Sequence, residues 1–164
     1  PRRAAWLILG VCVLNFAFQA NGHWMLRTGA LKQTILALGD DQPLFAKYAP
    51  ERILLSELRA AGGPSGNVLA LDPGIALSAE MGARSRMTSQ YDPSIAQAAS
   101  AANADASGAA WETLLRSEGI SDVLLRQETT SPAQRSGLVR AGAQLRASAG
   151  VAQWWQLPAE DHAQ

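Results

Sequence analysis

The hydrophobic positions of this chain divide it into a long apolar segment near its start and a body of shorter amphipathic segments. Residues Ala4 to Leu26 include no Asp, Glu, Lys or Arg. As a helix that rises about 1.5 Å per residue, this segment would reach about 35 Å, enough to cross a hydrocarbon core of about 30 Å. Trp6 and Trp24 lie near its two ends, where interfacial aromatic residues are common. We therefore expect a transmembrane helix over residues 4–26.

Two other interpretations of the apolar segment stay open. It could be a signal sequence with Ala20 and Gly22 as the small residues of a cleavage site, or a buried helix of a fold that spans no membrane. Basic residues flank the segment on both sides, so the positive-inside rule leaves its orientation open. Because the chain begins with Pro1, we expect a fragment of a longer polytopic protein in which this segment is the last span.

After the apolar segment, the pattern predicts an alternation of helices and strands. Residues 27–62 are expected to form a juxtamembrane helical segment that ends at the Gly62-Gly63-Pro64 turn. Val68 to Leu71 is a short apolar run between turn residues and predicts a buried strand. Residues 83–91 predict a second strand of polar character.

The second half of the chain continues this alternation. The alanine-rich residues 93–110 predict a helix with a break near residues 103–108, and a short helix with Trp111 follows. The segment SDVLLRQ, residues 121–127, predicts a strand. Ser131-Pro132-Ala133-Gln134 fits a capping box and predicts a helix that continues to about Ala149. A final strand is predicted in VAQWWQLP.

This order predicts an α/β fold in which an N-terminal transmembrane helix is followed by a small, partly parallel sheet flanked by helices. We expect the α/β domain to occupy residues 63–158, and residues 159–164 to form a frayed polar tail.

Composition and charge exclude several classes of function. Fourteen Lys and Arg residues balance fourteen Asp and Glu residues, which argues against a nucleic-acid-binding protein. Cys12 is the only cysteine, so an internal disulfide framework and a multi-cysteine zinc site are both excluded. His23 and His162 belong to no metal-ligand pattern, and the chain contains no phosphate-binding glycine motif and no nucleophile-elbow signature. We therefore predict no metal, no cofactor and no catalytic residue within this chain.

Four charged residues are candidates for ligand binding. Asp72 ends the predicted strand 68–71, and an Asp at the carboxyl end of such a strand can accept a sugar hydroxyl. Arg84 and Arg86 alternate along the second predicted strand, where they would share a face and could bind a phosphate or an anionic sugar. Asp92 follows that strand. A simple turn after Asp72 and ion pairs of the arginines explain the same residues without a ligand.

Trp154 and Trp155 are adjacent, so on a strand they would point to opposite faces of the sheet. Packing under a helix explains both side chains, and stacking on a sugar ring is the functional alternative.

A series of short motifs resembles a known family. The motifs are ERILLSELRAAG, the strand NVLALD, a strand that closes on Tyr91-Asp92, and LLRSEGISDVLL. Over roughly residues 4–157 the chain resembles the C-terminal extracytoplasmic domain of bacterial polytopic membrane glycosyltransferases, similar to the dolichyl-phosphate-mannose–protein mannosyltransferase class. Asp122 stands where many of these relatives carry His.

The resemblance implies a non-catalytic accessory domain on the outer face of the cell inner membrane. In such enzymes the catalytic carboxylate lies in an early loop of the full-length protein, outside this chain, and a lipid-linked sugar is the donor. The implied partners are the lipid bilayer, the remaining transmembrane part of the full-length protein and the lipid-linked sugar. Two alternatives stay open: a membrane-anchored α/β module that binds a small ligand, and a structural domain that binds a partner protein.

Overall fold

The computed structural model describes residues 2–20, 40, 42–72, 74–75 and 81–158. The helices are α1 (Arg2–Ala20), α2 (Gln42–Tyr48), α3 (Pro50–Ala60), α4 (Pro93–Asn103), α5 (Ala109–Ser117) and α6 (Pro132–Arg140). The strands are β1 (Asn67–Ala70), β2 (Ser85–Met87), β3 (Ile120–Arg126), β4 (Gln144–Ala149) and β5 (Ala152–Gln156), and a 3₁₀ turn at Gly82–Arg84 precedes β2. The chain divides into two units, Pro1–Leu44 and Phe45–Gln164.

The apolar segment begins as a helix, α1. Within the part of the chain that is described, no helix is long and apolar enough to cross a membrane. The expected transmembrane helix over residues 4–26 is therefore not supported, and residues 21–26 lie outside the described residues. The expected helical segment 27–62 is described from residue 42 onward, apart from Asp40, and contains α2 and α3. The expected tail at residues 159–164 also lies outside the described residues.

The strands form one mixed sheet in the order β2-β1-β3-β5-β4. Strand β1 is parallel to both β2 and β3, whereas β5 is antiparallel to both β3 and β4. The prediction of an α/β domain with a small, partly parallel sheet is confirmed. Because β1 and β3 are parallel, the segments that leave their carboxyl ends meet at the same edge of the sheet.

Helices cover both faces of the sheet. On one face, apolar side chains of α4, α5 and α6 pack against Leu69, Val123 and Leu125. On the other face, leucines of α3 pack against Val68 and Leu124. Strands β1 and β3 are therefore buried on both faces, which explains the uninterrupted apolar runs at residues 68–70 and 123–125.

The prediction of one helix from Ser131 to about Ala149 is wrong in its second half. The capping box at Ser131 is present, with its hydroxyl accepting from the backbone N–H of Gln134, but the helix ends at Arg140. Gly142, with a φ of +75°, closes a Schellman motif in which its N–H donates to the carbonyl of Val139. The following residues then pair with β5 as β4, because sheet pairing outweighs the helical preference of an alanine-rich segment.

Of two other predicted boundaries, one is wrong and one is confirmed. The predicted strand 83–91 is reduced to the three residues of β2, because residues 82–84 form the 3₁₀ turn. The predicted break near residues 103–108 is confirmed, since α4 ends at Asn103 and α5 begins at Ala109.

Helices α5 and α6 approach each other closely through glycine. A Cβ atom at Gly137 would lie 2.3 Å from Cβ of Trp111, and one at Gly108 would lie 2.4 Å from the backbone nitrogen of Gly137. Such distances are shorter than van der Waals contact, so a side chain at either position would push α6 away from α5. Glycine at both positions therefore permits the close approach of the two helices. This contact sets the position of α6 over the sheet.

Candidate functional site

Asp72 lies just beyond the carboxyl end of β1, and both of its carboxylate oxygens accept hydrogen bonds. Oδ1 accepts from the backbone N–H of Gly74 at 2.7 Å, and Oδ2 accepts from the hydroxyl of Thr129 at 2.6 Å. The first contact forms a local Asx turn. The second connects this turn to the segment that follows β3. Asp72 is buried, and its contacts hold two loops together at this edge of the sheet.

Arg126, the last residue of β3, lies at the same edge. Its Nη2 atom is 3.2 Å from each carboxylate oxygen of Glu51, in the first turn of α3. The Nε atom of Arg126 is buried and has no hydrogen-bond partner among the described residues. The sequence analysis missed Glu51, Arg126 and Thr129. The available signal was that Arg126 lies near the end of the predicted strand 121–127, in a sheet predicted to be partly parallel.

The structure does not bring Arg84 and Arg86 to Asp72. Arg84 belongs to the 3₁₀ turn rather than to β2, and it donates to the backbone carbonyl of Pro64. Nε of Arg86 lies 3.9 Å from Oε2 of Glu118. Because Pro64 and Glu118 precede β1 and β3, both guanidinium groups are held near the amino ends of these strands, whereas Asp72 follows a carboxyl end.

Asp92 has a local contact. It directly precedes α4, and its Oδ1 accepts a hydrogen bond from the hydroxyl of Ser94 at 3.1 Å. Its neighbour Tyr91 is largely exposed. Ligand binding by Asp72, Arg84, Arg86 and Asp92 stays a prediction.

A carboxylate that the sequence analysis did not select lies in the middle of the sheet. Asp122 of β3 is fully buried. Its Oδ1 accepts from the indole Nε1–H of Trp154 at 2.8 Å, and its Oδ2 accepts from the hydroxyl of Ser121 at 2.6 Å. The same Ser121 oxygen accepts from the backbone N–H of Gly66 at 2.9 Å. Asp122 therefore joins β3 to β5 through side chains as well as through the backbone.

The prediction that Trp154 and Trp155 face opposite sides of the sheet is confirmed. Trp154 belongs to the apolar cluster that contains the α3 leucines. Trp155 packs against the cluster on the other face, which contains the side chains of α4, α5 and α6.

A cavity of about 380 Å³ lies beside Trp155, between α6 and β5. We call it the α6–β5 cavity. Its apolar lining residues are Leu125, Leu138, Val139 and Trp155. Its polar lining residues are Gln127, Thr130, Arg135 and Gln153. An apolar lining with a few polar groups at its edge is typical of small-molecule sites.

The polar groups of this cavity are held by internal hydrogen bonds. Nη2 of Arg135 donates to the backbone carbonyl of Gln127 at 2.8 Å. The indole Nε1–H of Trp155 donates to Oε1 of Gln153 at 3.0 Å. These contacts fix the guanidinium and the amide at the border of the cavity.

Asp105 organises the loop between α4 and α5. Its Oδ1 accepts from the hydroxyl of Ser107 at 2.7 Å, and its Oδ2 accepts from the backbone N–H of Ala110 at 2.9 Å. The hydrogen bond from the Ser107 hydroxyl, followed by the one from the Ala110 amide, holds the pKa of the Asp105 carboxyl below its ordinary value. The ionised carboxylate thus supports the start of α5.

Among the described residues, no group of three His, Cys, Asp or Glu side chains is arranged to hold a metal ion. His23 and His162 both lie outside those residues.

Comparison with known proteins finds no matching family model, no matching curated protein and no matching solved structure.

Removal of the buried carboxylate should destabilise the sheet. We expect Asp122→Ala to lower the free energy of unfolding by about 1–3 kcal/mol, because the buried indole N–H of Trp154 loses its acceptor. Asp122→Asn keeps an oxygen acceptor and should lose less. Denaturant unfolding of both variants measures the difference, and Asp92→Ala serves as a control at a half-exposed carboxylate. Equal stability of Asp122→Ala and the wild type would contradict this role.

Asp105 should make a pH-dependent contribution to stability. Because its pKa is lower in the folded state, the contribution is complete above the ordinary pKa of about 3.8 and is lost as pH falls through the folded-state pKa. Asp105→Asn should therefore melt below the wild type at about pH 7, and the gap should narrow at about pH 2.5. Ser107→Ala should lower the melting temperature by a smaller amount than Asp105→Asn does. A gap that is independent of pH would contradict the assignment.

Proposed function

We propose that this chain is a non-catalytic accessory domain of a membrane glycosyltransferase-like protein that uses a lipid-linked sugar donor. In this proposal, the apolar surface of α1 attaches the domain to the lipid bilayer, beside the membrane part of the full-length protein. The domain lies on the outer face of the inner membrane.

The exposed surface of α1 carries the proposal. Its large apolar side chains are between 51% and 73% exposed, and they are Trp6, Leu7, Ile8, Leu9, Val11, Val13 and Leu14. With about 3.6 residues per turn, these positions are distributed round the whole helix. A helix that is apolar on all sides is typical of the interior of a large protein or of a membrane. An apolar environment from the bilayer and from the remaining transmembrane part would cover this surface.

The contacts of the charged residues support a role without catalysis. Asp72 accepts a hydrogen bond from Thr129, and Arg126 pairs with Glu51. Asp122 accepts a hydrogen bond from the indole of Trp154. These contacts join elements of the domain to one another and so give the charged groups a structural role. The resemblance of residues 4–157 to extracytoplasmic domains supports the donor class and the location.

The alternative function is a module that binds a small ligand. It is supported by a cavity and not by the four charged residues that were predicted from the sequence. The four predicted residues are held near different ends of the strands, so they do not support one common site. The α6–β5 cavity supports this alternative instead.

Membrane attachment through α1 can be tested with the 164-residue chain expressed in bacteria. We expect the wild type to stay in the membrane fraction after an alkaline carbonate wash. A variant with Leu7→Gln, Val11→Gln and Leu14→Gln should move to the supernatant, because each change replaces an exposed apolar side chain by a polar one. The matched control changes exposed apolar residues of the sheet-containing unit: Tyr91→Gln, Val139→Gln and Leu145→Gln. A wild type that is washed off, or a control that is washed off equally, would contradict attachment through α1.

The accessory role predicts how the natural full-length protein responds to loss of the domain. Removal of residues 45–158 should reduce sugar transfer from a radiolabelled lipid-phosphate sugar in isolated membranes without abolishing it. Complete loss of transfer, with the truncated protein still present in the membrane at normal amount, would contradict the accessory role. Absence of transfer in the natural protein as well would contradict the glycosyltransferase assignment.

A further inference from the structure

The α6–β5 cavity has the size of a site for one small ring. Its volume of about 380 Å³ lies near the lower end of the range for small-molecule pockets. A dinucleotide or a long acyl chain would need a larger enclosure. The cavity is open to solvent near Val139, which is 71% exposed.

The inner lining of the cavity is apolar. The indole of Trp155, from β5, and the buried side chain of Leu138, from α6, both line the cavity, so an aromatic ring and an aliphatic side chain contribute to its apolar lining. A molecule with an apolar face would bury that face here, since the indole contributes a large rigid contact area.

The border of the cavity offers groups that match hydroxyls. The amides of Gln127 and Gln153 each carry donor and acceptor atoms, and a hydroxyl group also both donates and accepts. The bond from Trp155 to Oε1 of Gln153 holds that amide beside the indole. None of the described lining residues is acidic, which disfavours a cationic ligand. The one cation, Arg135, is exposed and already donates to a backbone carbonyl, which disfavours an anion that would need a dedicated charge.

We infer that the α6–β5 cavity binds a single uncharged sugar ring, with the apolar face of the ring on Trp155 and its hydroxyls at the two glutamines. A sugar ring combines a face of C–H groups with an edge of hydroxyls, which is the same combination that the cavity presents. This inference goes beyond the accessory role and does not depend on it, because it concerns the chain by itself.

Binding can be tested with the purified 164-residue chain in a detergent without a sugar headgroup. The probes are the methyl glycosides of glucose, mannose and galactose, with glucose 1-phosphate and inorganic phosphate as charged comparisons. We expect saturable binding of at least one glycoside by ligand-detected NMR and calorimetry. Val139→Trp should weaken that binding at least about tenfold, because the new ring fills the mouth of the cavity.

The control variant is Gln144→Trp, which adds the same ring at an exposed position of β4 outside the cavity. It should bind the glycoside as the wild type does. Both replaced residues are exposed, so thermal melting should show that both variants are folded. Trp155→Leu provides a second test through the apolar wall. If that variant unfolds, the comparison of Val139→Trp with Gln144→Trp decides whether the glycoside binds in the α6–β5 cavity.

Three results would overturn the inference. The first is that no methyl glycoside binds saturably at roughly 50 mM, a concentration at which even millimolar affinities are visible. The second is that binding survives Val139→Trp. The third is that inorganic phosphate alone binds and Arg135→Leu abolishes it, which would assign the cavity to an anion. These results do not test membrane attachment, because none of them involves α1.

Discussion

The burial of strand β3 on both faces constrains the rest of this domain. Its apolar side chains alternate between two separate clusters, with Leu125 in the one beneath α6 and Leu124 in the one beneath α3. It also pairs with a parallel strand on one side and an antiparallel strand on the other. Displacement of β3 would open both clusters at once. The hydrogen bond between Asp122 and Trp154 lies within this constraint, because a carboxylate so deeply buried needs its donors.

Much of the fold follows from local sequence signals. The break between α4 and α5 was predictable because Asn, Asp and Gly disfavour helix between two alanine-rich segments. The start of α6 was predictable because the capping box at Ser131 uses only neighbouring residues. The end of α6 was not predicted correctly. The residues after Gly142 favour helix by composition, and only their pairing with β5 makes them a strand, which is a contact that local propensity does not contain.

The candidate sites were predictable only in part, for a related reason. Asp72 does lie at the carboxyl end of a parallel strand, as expected, but its partner Thr129 is distant in the sequence. Arg84 and Arg86 were placed together by assuming a long strand, whereas the short β2 leaves Arg84 in a turn. The α6–β5 cavity depends on the distance between a helix and a strand that are joined through β4. Such a distance is set by tertiary packing, including the glycine contact of α6 with α5.

The two outermost strands of the sheet differ in how readily another strand could pair with them. Among the described strands, β2 and β4 lie at the edges, and β2 has only three residues. So short an edge offers few free backbone groups, which is one way in which natural proteins avoid unwanted pairing. Strand β4 has six residues, of which four are exposed, and offers the longer row of N–H and C=O groups. Growth of the sheet by an added strand, from a second copy or an extended peptide, is therefore directed to the β4 edge.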